Sequence, residues 1–167
     1  MPPICRPNRL KKISESLFEN CKSLENIEIP ESINFIGASA FASCSSLKSI
    51  VVPKDVKEIY YSTFKNCESL ENISIGENVT TIYPNAFENC ISLKEVTLPE
   101  KTRFISIECF SNCVSLKKIN LPENLEIIKS FAFKNCKSLQ NIELPSALKE
   151  LGEQAFDSCT SLKEIVI

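Results

Sequence analysis

The sequence contains no histidine among its 167 residues. This absence excludes histidine general bases, catalytic triads that depend on histidine, and histidine metal ligands. Only three glycines are present, too few for a glycine-rich loop that cradles phosphate. The composition therefore argues against an enzyme, and we predict no catalytic residue, no metal site and no cofactor.

Long apolar runs and blocks of like charge are also missing. No apolar run approaches the roughly 20 residues that span a bilayer, and the first residues lack the basic and apolar regions of a signal peptide. Lysine and arginine number 19 against 21 aspartate and glutamate residues, so the net charge is −2 without a basic block. We predict no membrane insertion and no nucleic-acid partner.

What is present is an internal repeat, which the nine cysteines reveal. Seven of them follow one another at intervals of 23 residues, without insertion or deletion: Cys21, Cys44, Cys67, Cys90, Cys113, Cys136 and Cys159. A phenylalanine precedes each of these cysteines by three residues and is predicted to form a buried spine. We interpret residues 1–167 as one array of about seven repeats, with an eroded first turn at 1–9.

Each repeat contains an apolar stretch of strand length. After Cys90 come Ser92 and Leu93, then Val96 and Leu98 at alternate positions, then a proline that cannot donate to a ladder. Strands that recur every 23 residues in one direction pair in parallel. The segment before each cysteine suits a short helical or 3-10 turn. A left-handed residue is predicted to end that turn at Asn20, Asn66, Asn89, Asn112 and Asn135.

The repeat unit I-x-x-x-A-F-x-N-C-x-S-L-x-x-I-x-L-P-x-x-L-x-x, seen best in Ile82–Thr102 and Ile128–Leu148, resembles the BspA-like leucine-rich repeat family. The resemblance implies a leucine-rich-repeat solenoid, with a parallel β-sheet on one face and short helical or 3-10 turns and loops on the other. It also implies a non-enzymatic protein-binding module, at the cell surface or secreted, that mediates adhesion to cells or to host extracellular-matrix proteins such as fibronectin and fibrinogen. The alternative is a structural spacer in a longer surface protein, with binding done elsewhere.

The cysteine column is predicted to hold free, buried thiols. Equivalent Cβ atoms in stacked strands lie about 4.8 Å apart, whereas a disulfide needs about 3.8 Å. A row with one cysteine per repeat also cannot form the tetrahedral cluster that zinc needs. Cys5 and Cys109 fall outside the period, and Cys109 occupies a column otherwise filled by small residues.

Two surfaces are candidates for binding a protein partner. The first is the outward side of the strands, where the candidates are Asn72, Ser74, Glu95, Thr97, Lys118 and Asn120. The alternative for any one of these residues is a merely solvated face. The second surface consists of the three tyrosines, Tyr60, Tyr61 and Tyr83, in adjacent columns of neighbouring repeats. Such a cluster is either an aromatic binding patch or local packing under a loop.

The sequence also predicts self-association through the C-terminal strand edge. The segment 162–167 keeps its apolar columns, and a terminal repeat without a polar cap exposes core side chains and an unpaired edge. Pro2, Pro3, Arg6 and Pro7 protect the other end. We therefore expect either a natural protein that continues past Ile167 or a chain that associates as its concentration rises. Light scattering across a concentration series measures this. A strictly monomeric chain from a gene that stops at Ile167 would contradict it.

Overall fold

The computed structural model describes residues 9–166, which form a solenoid of parallel strands. Most of the predicted eroded turn at 1–9, with its prolines, Arg6 and Cys5, lies outside the described residues. Within 9–166 the chain contains no helix, and hence none long and apolar enough to cross a membrane.

Two sets of short strands run along the solenoid. Seven strands have two residues: β1 (Lys12–Ile13), β2 (Phe35–Ile36), β4 (Glu58–Ile59), β6 (Thr81–Ile82), β8 (Phe104–Ile105), β10 (Ile127–Ile128) and β12 (Glu150–Leu151). Six strands have three residues and form the strand face: β3 (Ser49–Val51), β5 (Asn72–Ser74), β7 (Glu95–Thr97), β9 (Lys118–Asn120), β11 (Asn141–Glu143) and β13 (Glu164–Val166).

The strand face lies where the sequence predicts strands, and its pairing confirms the parallel arrangement. Ile50 of β3 is opposite Ile73 of β5, and Val96 of β7 is opposite Ile119 of β9. Each partner is the residue one repeat later, so the pairing joins equivalent positions. Along β3, Ile50 points into the core while Ser49 and Val51 are exposed, which is the alternation expected of a half-buried strand.

The two-residue strands are an addition to the predicted fold. β4, β6, β8, β10 and β12 form one continuous parallel sheet, and β1 pairs with β2. The sequence predicts only loops and turns on this side, because two residues are too few to show an alternating pattern. Ile59, Ile82 and Ile105 of these strands point into the core.

The predicted helical turn before each cysteine is wrong, because left-handed residues interrupt it. Ser62 and Asn66 have φ angles of 53° and 59°, and a right-handed helix does not accommodate such residues four positions apart. The amides of Phe64 and Asn66 donate instead to the carbonyl oxygens of Ala86 and Glu88 in the next repeat, at 2.9 and 2.8 Å. The segment is therefore a series of hydrogen-bonded turns that the next repeat holds in place.

The asparagines of the repeating column have the predicted left-handed conformation. The φ angles lie between 59° and 62° for Asn20, Asn66, Asn89, Asn112 and Asn135. Their side chains also form a ladder, in which Asn89 Nδ2 donates to Asn66 Oδ1 at 2.7 Å and Asn112 Nδ2 donates to Asn89 Oδ1 at 2.9 Å. Such amide ladders require equivalent residues to stack in register.

The core is a stack of phenylalanine rings flanked by aliphatic columns. Successive rings, for example Phe87 and Phe110, are nearly parallel with centroids 5.0 Å apart. The predicted spine is therefore present, and its five central rings are fully buried: Phe41, Phe64, Phe87, Phe110 and Phe133. Each ring packs on the rings of the two adjacent repeats. A single isolated repeat therefore cannot form this stack.

The cysteines lie beside this stack as free thiols, as predicted for the part of the chain that the structure describes. All are buried except Cys21 in the first described turn. Each buried thiol of the repeating column donates to the carbonyl oxygen of a phenylalanine in the preceding repeat; for Cys67 the acceptor is Phe41, at 3.2 Å. Burial raises the pKa of Cys67 to about 12, so this thiol stays protonated and unreactive near neutral pH.

The stacking predicts that the fold tolerates the loss of a whole repeat better than the insertion of one residue within a repeat. Deletion of residues 90–112 removes one whole repeat and restores equivalent contacts at the junction, so a shorter folded array should result. Insertion of one residue within β7 should lower the melting temperature more, because it turns inward side chains outward. Thermal unfolding by circular dichroism compares the two variants. Equal losses of stability would be inconsistent with contacts that join equivalent positions.

Candidate functional site

The strand face carries the six predicted partner-binding residues, all of them exposed: Asn72, Ser74, Glu95, Thr97, Lys118 and Asn120. In the β7–β9 pair, Glu95 is opposite Lys118 and Thr97 is opposite Asn120, whose Nδ2 donates to Thr97 Oγ1 at 3.2 Å. β5 pairs with β3 instead of β7. The structure thus pairs four of the six residues in one ladder, from which β5 is separated, although Ser74 of β5 lines the same groove as Glu95 and Thr97.

This separation is one of two interruptions of the hydrogen-bonded ladder. The three-residue strands pair as β3–β5, β7–β9 and β11–β13, and the ladder is open between β5 and β7 and between β9 and β11. Each opening is a groove, with volumes of about 590 and 500 Å³ respectively. The strand face is therefore divided into three paired ridges by two grooves.

The groove between β5 and β7, called here the acidic groove, has an apolar floor. Ile73, Ile75 and Leu98 line it. Ile73 is half-buried, whereas Ile50 and Val96, which occupy the same column, are buried. The open ladder therefore exposes part of a side chain that elsewhere belongs to the core.

The rim of the acidic groove carries three exposed carboxylates, Glu77, Glu95 and Glu100. No hydrogen bond or ion pair joins any of them to another residue in the described range 9–166. The one cation of the rim, Lys101, donates to Asn78 Oδ1 at 2.5 Å. Across the described residues, no group of aspartate, glutamate or cysteine side chains converges in a way that could hold a metal ion.

The groove between β9 and β11, called here the basic groove, has the opposite charge at its β9 side. Lys117 and Lys118 line it, with Ile119 and Leu121 below and Glu143 on the far side. Neither lysine forms an ion pair with a described residue. Although Lys118 is the register partner of Glu95, the two side chains line different grooves.

Sequence reasoning missed both grooves. The columns that line them have the same apolar pattern as in closed parts of the face, so composition does not distinguish them. One signal was available at the acidic groove: Gly76 replaces the proline that ends the strand in the other internal repeats. A Cβ at Gly76 would lie 2.3 Å from the carbonyl oxygen of Pro53, so the chain approaches the preceding repeat more closely than a side chain permits.

The three tyrosines form the second candidate surface, and the structure does bring them together. The rings of Tyr60 and Tyr83 are parallel with centroids 5.3 Å apart, and Tyr61 contacts Tyr83 at 5.0 Å. Phe35, which sequence reasoning did not include, packs on Tyr60 at 5.2 Å. Tyr61 alone among the tyrosines is largely exposed, at 51%. We call these residues, with Glu58, the tyrosine cluster.

Glu58 joins two of these rings through hydrogen bonds. The Tyr60 hydroxyl donates to Oε2 of Glu58 at 2.5 Å, and the Tyr83 hydroxyl donates to Oε1 at 3.3 Å. The hydrogen bond to Glu58, followed by burial, raises the pKa of Tyr60 to about 12 from its usual 10.0. The negative charge of Glu58 also raises the pKa of Tyr83.

The raised pKa of Tyr60 predicts a loss of stability at alkaline pH. The unfolded phenol ionises near pH 10.0 and the folded one near pH 12, so the stabilising contribution is present below pH 10 and is lost between these values. Tyr60→Phe should therefore lose less of its free energy of unfolding across this window than the native chain. Urea unfolding at several pH values measures the difference.

Tyr61→Phe is the matched control, because the Tyr61 hydroxyl makes no hydrogen bond to Glu58. Its stability should follow the native chain across the alkaline window. Identical pH profiles for Tyr60→Phe and the native chain would show that the hydroxyl of Tyr60 does not depend on Glu58.

Comparison with known proteins identifies the repeat. The model of the BspA type leucine rich repeat region matches residues 3–113 and 80–167, in six copies. A comparison with curated protein sequences gives no significant match.

Solved structures of leucine-rich repeat proteins share the fold. A Bacteroides ovatus protein is 32% identical with a TM-score of 0.89 over 95% of this chain, and a Faecalibacterium prausnitzii leucine rich cell surface protein is 32% identical with a TM-score of 0.85 over 93%. A T. pallidum leucine-rich repeat protein is 28% identical with a TM-score of 0.88, and the alignment covers 92% of this chain and 72% of that one.

The alignments cover only 41% and 42% of the first two proteins, so the chain spans about two fifths of their length. The 23-residue period, the stacked parallel strands and the family model nevertheless agree over essentially the whole chain. This chain belongs to the BspA-type leucine-rich repeat family.

Proposed function

We propose that this chain is a non-enzymatic protein-binding module of a surface protein, and that it binds its partner through the strand face. The observation that carries the proposal is the pair of grooves, where an open ladder leaves apolar side chains and unpaired charges accessible. Leucine-rich-repeat solenoids are typically scaffolds for protein interaction, which is consistent with this role. The Faecalibacterium neighbour is described as a cell surface protein, which supports the surface location.

The stacked repeats supply the rigidity that such a face needs. The phenylalanine stack, the asparagine ladder and ion pairs such as Glu71–Lys94 at 2.6 Å all join adjacent repeats. A partner that spans several repeats therefore meets a surface whose conformational entropy is already low, which favours affinity. By the family resemblance, we propose extracellular-matrix proteins of a host, with fibronectin and fibrinogen as the first candidates.

The same contacts favour a second candidate function, that of a spacer. The contacts between neighbouring repeats recur along the described array, which makes a stiff rod regardless of what the face binds. The chain also spans about two fifths of two of its structural neighbours, so binding by the rest of a longer protein is compatible with this role.

The tyrosine cluster is a less favourable binding surface than the strand face. Phe35 and Tyr83 both pack against the Tyr60 ring, and Glu58 accepts hydrogen bonds from the hydroxyls of Tyr60 and Tyr83. Only Tyr61 offers a large exposed area to a partner. We therefore use this cluster as the comparison surface in the binding test.

Surface plasmon resonance on immobilised fibronectin and fibrinogen tests the proposal. Ser74→Trp places a large uncharged side chain in the acidic groove, so it should weaken binding by roughly tenfold or more. Tyr61→Ala removes the exposed ring of the tyrosine cluster and should leave binding unchanged. Circular dichroism confirms that each variant is folded.

The opposite pattern, with binding lost in Tyr61→Ala and kept in Ser74→Trp, would transfer the site to the tyrosine cluster. If neither matrix protein binds the native chain at any accessible concentration, the spacer function is favoured.

A further inference from the structure

The two grooves give the strand face a fixed charge separation along the solenoid. The acidic groove lies on one side of the β7–β9 ridge and the basic groove on the other. Their centres are two repeats apart, and at a strand spacing of about 4.8 Å this separation is about 10 Å. Two side chains of one partner that occupy the centres of the two grooves therefore lie about 10 Å apart.

The charged side chains of the two grooves form no ion pair with another described residue. Elsewhere carboxylates pair with a lysine one repeat away, as in Glu25–Lys48 and Glu71–Lys94, both at 2.6 Å. Lys48 lowers the pKa of Glu25, and Lys94 lowers that of Glu71. Glu95 and Glu100 in the acidic groove have no such partner among residues 9–166. Their field is available to a ligand.

The shape of each groove selects the side chain that it accepts. The apolar floor of the acidic groove suits the aliphatic stem of an arginine or lysine, whose charged head then reaches the carboxylates at the rim. The two lysines at the basic groove suit an aspartate or glutamate. A phosphate-rich partner, such as a nucleic acid or an anionic membrane, is disfavoured because the acidic groove repels it.

The separation of about 10 Å also selects the backbone of the partner. In a β-strand, residues three apart span about 10 Å but point to opposite faces. In a polyproline II helix, with about 3.1 Å per residue and three residues per turn, residues three apart span about 9 Å and point to the same face. Of these two extended conformations, only the second presents both charged side chains to the grooves.

We propose that the strand face binds a polyproline II segment of a protein partner that carries one basic and one acidic residue three positions apart. The basic side chain occupies the acidic groove and the acidic side chain occupies the basic groove. This inference rests on the proposed function, since it assumes that the strand face is the binding surface.

Two labelled peptides of identical composition test the spacing. The first, Pro-Pro-Arg-Pro-Pro-Glu-Pro-Pro, has its charges three positions apart; the second, Pro-Pro-Arg-Pro-Glu-Pro-Pro-Pro, has them two apart. Fluorescence anisotropy at low ionic strength should show at least about fivefold tighter binding of the first peptide, a difference near the upper end for an exposed charge pair. Equal affinities would overturn the inference.

Neutral variants test which groove receives which charge. Glu95→Gln/Glu100→Gln and, separately, Lys117→Gln/Lys118→Gln should each abolish the preference for the first peptide. Glu95→Gln/Glu100→Gln should also leave unchanged the affinity for a peptide whose arginine is replaced by glutamine. A preference that survives in either double variant would overturn the inference.

Control variants separate this inference from the proposed function. Glu68→Gln/Lys137→Gln removes two exposed charges that lie outside both grooves, and it should keep the native preference. Ser74→Trp should abolish binding of both peptides. If Ser74→Trp abolishes binding but the groove variants do not, the strand face binds as proposed and the charge arrangement is wrong. If Ser74→Trp also leaves the affinity for both peptides unchanged, both the inference and the proposed face are wrong.

Discussion

The structure depends on one constraint, that each residue stacks on its own counterpart one repeat later. The constraint is visible in the hydrogen bond from each buried repeating thiol to a phenylalanine carbonyl oxygen of the preceding repeat, as from Cys90 to Phe64 at 3.2 Å. Because equivalent residues face each other, a column must be filled by side chains that tolerate their own kind. Phenylalanine rings stack, asparagine amides form ladders, and thiols donate hydrogen bonds to backbone carbonyl oxygens.

Like charges repel each other when they stack. The column that begins at Glu25 shows how the sequence avoids this repulsion. Glu25 precedes Lys48 and Glu71 precedes Lys94, so opposite charges stack and pair. The alternation ends at Lys117, which follows Lys94. Uncompensated charge appears at that place, beside the basic groove, and it follows directly from a break in the sequence pattern.

Much of the fold is predictable from the period alone. The strands around Ile50 and Val96, the buried phenylalanine spine, the left-handed asparagines and the free thiols all follow from residues that recur every 23 positions. The two-residue strands were not predictable, since a pair such as Phe35–Ile36 shows no alternation. The helical turn was predicted wrongly because the Ala-Phe-x-Asn-Cys pattern suits several kinds of turn. Hydrogen bonds to the next repeat decide between them.

The candidate site was predictable only in part. The outward columns identify the exposed strand residues, and the tyrosine columns identify a cluster. The open ladder beside Ile73 and the role of Glu58 as the acceptor of two hydroxyls depend on distances between repeats. A periodic sequence makes all repeats look alike, so the differences that create a site appear only where the stack departs from its average.

The thiol column has a consequence for how the chain matures. Nine cysteines in one unfolded chain offer an oxidant many incorrect cross-links. In the finished array, each buried thiol is covered by its neighbours, and burial keeps the pKa of Cys67 about 12, far from the thiolate form that reacts. A thiol of the column is therefore protected only once the repeats on both sides of it have stacked. For a chain of this kind, the rate of stacking relative to the rate of oxidation decides the yield of native protein.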